Sequence, residues 1–532
     1  MTRVRLSVRN NGTGPFTQAV TALIALVLLG CEGGVITTVG PDYVRPQPEV
    51  SARWQSTPPK DLIAAHDGDP KRLEGWWQQF NDPDLLWLIS AAQAVSASVS
   101  DARGRIEQAR AEMATAISQG LPRLDTQVDM IRARTTFGTP PFDWTRYQAG
   151  VQSNWEVDLF GGLSRQREAA LGRLSAEHHA WHEARVALAV EVANAYVDYR
   201  ACVQLLRIAE EDARSRAATD RLTRLAEQAG LRPAADLALA EASRADGHEN
   251  RLQQQGSCDR LIKGLVALTG LAEIRVRRHL SSLGEGLAPW PVPPPVPLSG
   301  VPAKTLLQRP DVRKAEEEVA EASARIGVAE ARRYPKLTLS GNITPQLQTV
   351  SGMSALSPYM AGAGATTTYF ANTWSIGPTL NLPLFDGGKR VADVEAARMD
   401  YAAAVQRFQA RCRVAAKEVE EALLRLEVSE ARRPEALKAR SGYERNFRAT
   451  EHLYEAGFGS LLELEQARRQ TLLARRTSVE LEQERILARI ALYRAAGGGW
   501  SSGDHPAADQ PSGEDPKNPL KGLETAMKEA IR

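Results

Sequence analysis

"HHAWH" (178–182) holds the first residues in this 532-residue chain whose types and spacing could do chemistry. His178 and His182 stand at i, i+4, a spacing compatible with zinc. No carboxylate or cysteine nearby completes a ligand set, and Glu183 lacks the second histidine of a His-Glu-x-x-His helix. A solvated helix face explains the pair more simply. "DGGKR" (386–390) lacks the upstream glycine and the Ser/Thr of a phosphate loop, and no Cys-x-x-Cys occurs. No catalytic residue, metal or cofactor is therefore expected, and the chain does not read as an enzyme. What chemistry remains belongs to four cysteines: Cys31, Cys202, Cys258 and Cys412.

Cys31 closes a targeting segment. Arg3, Arg5 and Arg9 precede an apolar run from Ala19 to Gly30, too short to span a bilayer but suited to a signal-peptide core. The run ends in Leu28-Leu29-Gly30-Cys31. A small residue and then a cysteine after such a core resembles the bacterial lipobox. On that resemblance Cys31 carries covalent lipid and begins the mature chain; the competing reading is an ordinary signal with a chance cysteine. Each buried CH₂ of an acyl chain contributes about 0.8 kcal/mol, so several chains hold firmly.

Composition narrows the class. Basic and acidic residues nearly balance, 66 against 64, so no charge field argues for nucleic acid. Aromatic content is 6%, and long stretches of Ala, Arg, Glu and Leu point to helices. No later segment offers eighteen consecutive apolar residues. A membrane crossing would therefore have to use strands.

The elements that position everything are written twice. "SNWEVDLFGG" (153–162) answers "TLNLPLFDGG" (379–388), and "GLPRLDTQV" (120–128) answers "RYPKLTLSG" (333–341). "LAEQAGLRPAADL" (225–237) answers "LYEAGFGSLLEL" (453–464). Pro122 and Pro335 are offset by 213, Phe160 and Phe385 by 225, and Gly230 and Gly457 by 227. One insertion in the second copy accounts for the change. It is expected in a low-complexity loop over 344–368, which replaces a shorter one over 133–145. Each copy reads helix, strand, loop, strand, long helix, turn, long helix.

The strands show period two. Leu124, Thr126, Val128 and Met130 alternate with Asp125, Gln127 and Asp129, and Trp374, Ile376 and Leu380 alternate with Thr373, Ser375 and Thr379. Four strands in two isolated hairpins are marginal in water. They also cannot close a barrel, which needs about eight, and open edges do not survive in lipid. Hairpins that enter a membrane therefore require several copies of the chain. After each sheet, Leu-Phe and a glycine pair permit the sharp turn into a helix.

From Leu163 to Gln228 there is no proline, and a narrow apolar seam suits a coiled-coil wall about 100 Å long. The second copy runs from Lys389 to Gly457, with a break expected at Pro434. Cys202 and Cys258 each lie 28 residues from Gly230, at equal heights in an antiparallel hairpin. In an oxidising compartment they are a disulfide candidate worth about 4 kcal/mol. The alternative is two unrelated buried thiols.

"VGPDYVRP" (39–46), "WWQQFNDPDLLWLI" (76–89), "WEVDLFGG" (155–162), "RPDVRKAE" (309–316), "ARIGVAEARRYPKL" (324–337), "LNLPLFDGGKR" (380–390) and "ALYRAAGGGW" (491–500) carry a resemblance over residues 31 to 500. The chain resembles the TolC family of outer-membrane channels, in its lipoprotein branch serving resistance-nodulation-division efflux. The resemblance implies an α+β membrane protein whose three copies close a twelve-stranded transmembrane barrel above a periplasmic α-barrel of long coiled-coil helices. It implies a passive exit duct for small molecules across the outer membrane. Its partners would be a periplasmic adaptor, an inner-membrane pump and membrane lipid, with no nucleic acid.

It also implies a gate at the helix tips. Tyr454 and Asp236 match a hydrogen-bonded pair that ties neighbouring hairpins shut. Glu463 and Gln466 occupy the positions of pore-facing acids, so the second acid is missing. Leu462 matches the apolar residue that narrows the pore. Gly459 stands where some relatives have an arginine, which removes that latch. Gly230, Gly457 and Ser460 are candidates for adaptor contact.

The expected organisation is a signal peptide (1–30), a lipid-anchored segment (31–90), repeat 1 (91–290), a Pro-rich linker (291–303) and repeat 2 (304–500). A disordered tail (501–532) with a short helix at Leu520–Ile531 follows. Two rivals stand beside the efflux duct: a type I secretion duct, and a helical lipoprotein scaffold without a pore.

Overall fold

The computed structural model describes residues 37–56, 63–66, 73, 75–136, 142–281, 290–291, 293–299, 301–351 and 366–500. The signal peptide expected over 1–30, Cys31 and the tail expected over 501–532 lie outside them. The chain forms two compact units, one within Met1–Arg45, Ala109–Leu174 and Glu317–Val405, the other within Pro46–Gln108, Ser175–Glu316 and Gln406–Arg532. In chain order the elements are β1 (Ile63–His66), α1 (Pro83–Val95), α2 (Ala97–Ser118), β2 (Arg123–Thr135), β3 (Phe142–Val157), α3 (Gly162–Gln228), α4 (Ala234–Thr269) and α5 (Glu273–Leu280). Then come β4 (Val296–Ser299), α6 (Pro302–Leu307), α7 (Pro310–Ala331), β5 (Lys336–Ser351), β6 (Thr366–Asn381), α8 (Lys389–Glu455) and α9 (Leu461–Ala495).

The first unit carries one antiparallel sheet in the order β2-β3-β5-β6. The hairpins are thus not isolated, because β3 pairs with β5 across the two copies, Val151 facing Ile343. The strands are also longer than expected. Residues 133–135, 142–145, 344–351 and 366–368, read above as loop, belong to the ladders. Threonine-rich segments are good strand formers once a neighbouring strand satisfies their backbone, and composition does not reveal that neighbour.

In the second unit, β1 and β4 pair in parallel, Ile63 with Val296. These strands fall in stretches read as an N-terminal segment and a Pro-rich linker. Pro297 is tolerated because each strand of a two-stranded ribbon is an edge. A buried carboxylate organises the rest of this region. Asp82 caps α1 by accepting from the Leu85 N–H at 3.2 Å, and its other oxygen accepts from Tyr196 Oη and Arg200 Nη1, both at 2.8 Å. Trp76 is fully buried and stacks on Tyr493 at 4.3 Å. The Arg309 guanidinium bonds Asp311, Glu418 and the Ala495 carbonyl, holding the start of α7 to the end of α9.

α8 is continuous through Pro434. The break does not occur because Pro434 is on an exposed face, where water can satisfy the carbonyl that the ring leaves without a donor. Cys202 and Cys258 are joined by a disulfide, Cα to Cα 5.5 Å, between α3 and α4, and Cys412 is free and buried. His182 is buried against the Trp500 ring. Burial pulls the neighbouring His179 imidazole down to about 4, with the charges of Arg313 and His178 adding to the effect.

The sheet-to-helix junctions lie in the first unit. Gly161 has φ +74°, and Asp158 accepts from the Leu163 and Ser164 N–H groups at 3.1 and 2.8 Å, capping α3. In the second copy Asp386 accepts from Gly388 and Arg390. The aspartates complete the repeated motif, because they supply negative charge where a helix begins. The two phenylalanines diverge: Phe160 stacks on Tyr334 at 4.7 Å, whereas Phe385 is 93% exposed.

The two-faced sheet and the helix tips

Register decides the chemistry of the sheet. One row runs Met130–Tyr147–Leu347–Phe370 across all four strands, and another runs Thr126–Val151–Ile343–Trp374. The interleaved rows read Asp129–Gln148–Gln346–Ala371 and Asp125–Gln152–Asn342–Ser375. Through these rows one face is therefore largely apolar and the other polar; beyond Met130 the rows Arg132–Thr145–Thr349–Thr368 and Arg134–Asp143–Ser351–Thr366 turn the first face polar. Among the described residues nothing covers the apolar face: Val128 is 76% exposed, Trp374 71% and Ile376 72%. β5 and β6 have 16 residues each, more than the 9–11 that cross a bilayer. Among the described residues no strand pairs with the outer edge of β2 or of β6. Among the described residues no single helix is long and apolar enough to cross a membrane.

In the second unit, each helical hairpin turns on a glycine. Gly230 (φ +72°) follows α3, and Gly457 (φ +82°) follows α8. The second turn is tight: a Cβ on Gly459 would lie 2.8 Å from the Tyr454 nitrogen, so an arginine does not fit there without moving the backbone. Ser460 and Glu463 form a capping box at the start of α9, the Ser460 N–H donating to Glu463 at 3.2 Å and the Glu463 N–H to Ser460 at 3.3 Å.

The hydrogen bond expected between Tyr454 and Asp236 is not made within the chain. Tyr454 is buried among Ala240, Leu461 and Leu464. Its hydroxyl is 2.6 Å from Thr223 Oγ1 on α3. Asp236 pairs with Arg232 at 3.6 Å. The Arg232 guanidinium also lies 5.0 Å over the Tyr454 ring and donates to the Gly459 carbonyl at 2.9 Å. It thus stands between the two expected partners. Sequence reading passed over Arg232 and Thr223. Arg232 follows the tip glycine by two residues, which was a usable signal; Thr223 gave none.

Leu462, Glu463 and Gln466 are all exposed on α9, while Leu461, Leu464, Glu465 and Arg468 are buried. The three residues thus share an open face, and Glu463 holds its helix cap from there.

The fold also matches known proteins. The family model described as outer membrane efflux protein matches residues 88–271 and 301–498. The chain belongs to the outer membrane efflux protein family, and it is an efflux protein of the outer membrane. Among its relatives, nodulation protein T of Rhizobium leguminosarum bv. viciae is 28% identical over 501 residues, covering 91% of this chain and 94% of that protein. Outer membrane protein OprJ of Pseudomonas aeruginosa is 27% identical over 492 residues, covering 90% and 95%. The solved outer-membrane channel OprN superposes with a TM-score of 0.70 at 25% identity, covering 87% of this chain and 99% of OprN.

Proposed function

We propose that three copies of this chain close a twelve-stranded barrel in the outer membrane, continued by a periplasmic helical tunnel. The assembly is the passive exit duct of a tripartite pump of the resistance-nodulation-division type, it catalyses no reaction, and lipid on Cys31 anchors it. The observation that carries the reading is the four-stranded sheet, apolar on one face and polar on the other, with both edges open. Such a sheet is stable in lipid only when neighbouring copies pair its edges.

In this reading the helix tips form the gate. Thr223, Tyr454 and Arg232 tie the two hairpins of one chain together, Asp236 holds Arg232 in place, and Leu462, Glu463 and Gln466 face the pore. The glycine turns at Gly230 and Gly457, with Ser460, meet the periplasmic adaptor, and an inner-membrane pump supplies the driving force. Purified protein in planar bilayers tests the proposal. The expected result is a trimeric species carrying discrete ion currents; a monomer, or an oligomer that passes no current, would favour a scaffold and reject the duct.

A further inference from the structure

Within a few turns of the second unit's helix tips, four charges are buried where helices meet. Asp212 and Arg216 come from α3, and Glu465 and Arg468 from α9. Arg468 is 2% exposed. It donates to Thr219 and Ser215 of α3 at 2.9 and 3.2 Å, pairs closely with Glu465, and lies 5.7 Å over the Phe447 ring of α8. Arg216 donates to Asp212 at 2.8 Å and to Ser243 Oγ of α4 at 2.7 Å, and it stands 3.4 Å from Glu465. A Cβ on Gly247 of α4 would lie 2.6 Å from Arg216 Cδ, so glycine makes room for the guanidinium. The two positive and two negative charges balance within one cluster.

Burying charge is costly, and an apolar stripe would pack these helices at least as well. Burial pushes the Asp212 carboxyl up, against the opposing pull of Arg216 and Arg468. Stability alone is therefore a poor account of the cluster. The duplication supplies a second observation. At the offset of 227 that relates Gly230 to Gly457, Asp212 and Arg216 correspond to Ala439 and Tyr443, and Glu465 and Arg468 to Ala238 and Glu241. The cluster is thus confined to one of the two equivalent helix seams. A feature needed by every coiled seam would recur in both.

We propose that Arg468 is a positioning residue for the gate: through Thr219, Ser215 and the balanced carboxylates it sets the register of the second hairpin on the first. From α9 it touches both α3 and α8, and its partners on α3 lie on the same helix as Thr223, which holds Tyr454. The effect on current rests on the duct reading; the effect on packing does not.

The test uses the full-length protein in detergent and bilayers. Arg468→Met keeps the stem's bulk but strands Asp212 and Glu465 with one guanidinium. Amide hydrogen exchange over Leu461–Gln470 is expected to rise at least tenfold, and the closed-state current several-fold. Arg468→Met with Glu465→Gln restores neutrality and is expected to recover most of the protection; simple loss of packing would not be cured this way. Equal exchange in wild type and Arg468→Met overturns the proposal, as does equal exchange in the single and double variants. Should the wild type pass no current while exchange follows the expected pattern, the clasp stands and the duct fails.

Discussion

The Tyr454 hydroxyl lies 2.6 Å from Thr223 Oγ1, and both groups are buried. This bond joins α8 of the second copy to α3 of the first within one chain, and the Arg232 guanidinium stacks over the tyrosine from the first copy's tip turn. Three residues, rather than a Tyr454–Asp236 pair, hold the tips together.

Removing that bond should loosen the gate. Thr223→Val strands the buried Tyr454 hydroxyl, at a cost of about 1–3 kcal/mol, whereas after Tyr454→Phe the Thr223 hydroxyl still donates to the Thr219 carbonyl at 2.8 Å and the cost is smaller. Deleting both hydroxyls leaves no stranded group, so the double variant is expected to be no less stable than Thr223→Val. Single-channel recording should give larger or more frequent openings in every case; wild-type currents from Tyr454→Phe would remove the bond from the gate.

The sheet has two unequal faces. An arginine in place of Trp374, on the apolar face, is expected to cost about 2–4 kcal/mol at mid-bilayer. Ser375→Arg, one residue on and facing the other way, should leave assembly intact. Folding yield into lipid vesicles distinguishes them, and equal yields would contradict the assignment of faces.

The Cys202–Cys258 disulfide closes a loop of 56 residues. Its loss is expected to cost about 4 kcal/mol in the chain-entropy model. A paired Cys202→Ser and Cys258→Ser variant should therefore melt lower than the oxidised wild type and match the reduced wild type in a thermal scan.

Acid should weaken the second unit through His179. Burial lowers its imidazole to about 4, so the folded state resists a proton that the unfolded chain accepts near pH 6.5. The associated stability is present in full above pH 6.5 and is lost as pH falls toward 4, up to about 3 kcal/mol at ~1.4 kcal/mol per pKa unit. His179→Gln should flatten the melting temperature against pH across that window, and an unchanged profile would assign the acid sensitivity elsewhere.

Much of this protein was legible one residue at a time. Period-two alternation in "RLDTQVDM" and its counterparts marked the faces of the strands, because side chains on an extended chain must alternate. The spacing of Cys202 and Cys258 about Gly230 placed two thiols at one height, because an antiparallel hairpin is symmetric about its turn. The doubled Leu-Phe and glycine motif revealed two copies and the point where each leaves its sheet. Such features are local, or repeat at a fixed offset, and a linear string records both. Tertiary structure alone decided that β3 pairs with β5, that β1 finds β4, and that Tyr454 meets Thr223 rather than Asp236. Each of these joins segments far apart in the chain, and the partner is chosen by which backbone edge or buried hydroxyl arrives within about 3 Å, a distance no spacing along the sequence encodes. Arg468 shows the limit most plainly: read along the chain it is one arginine in a charged helix, and only packing turns it inward.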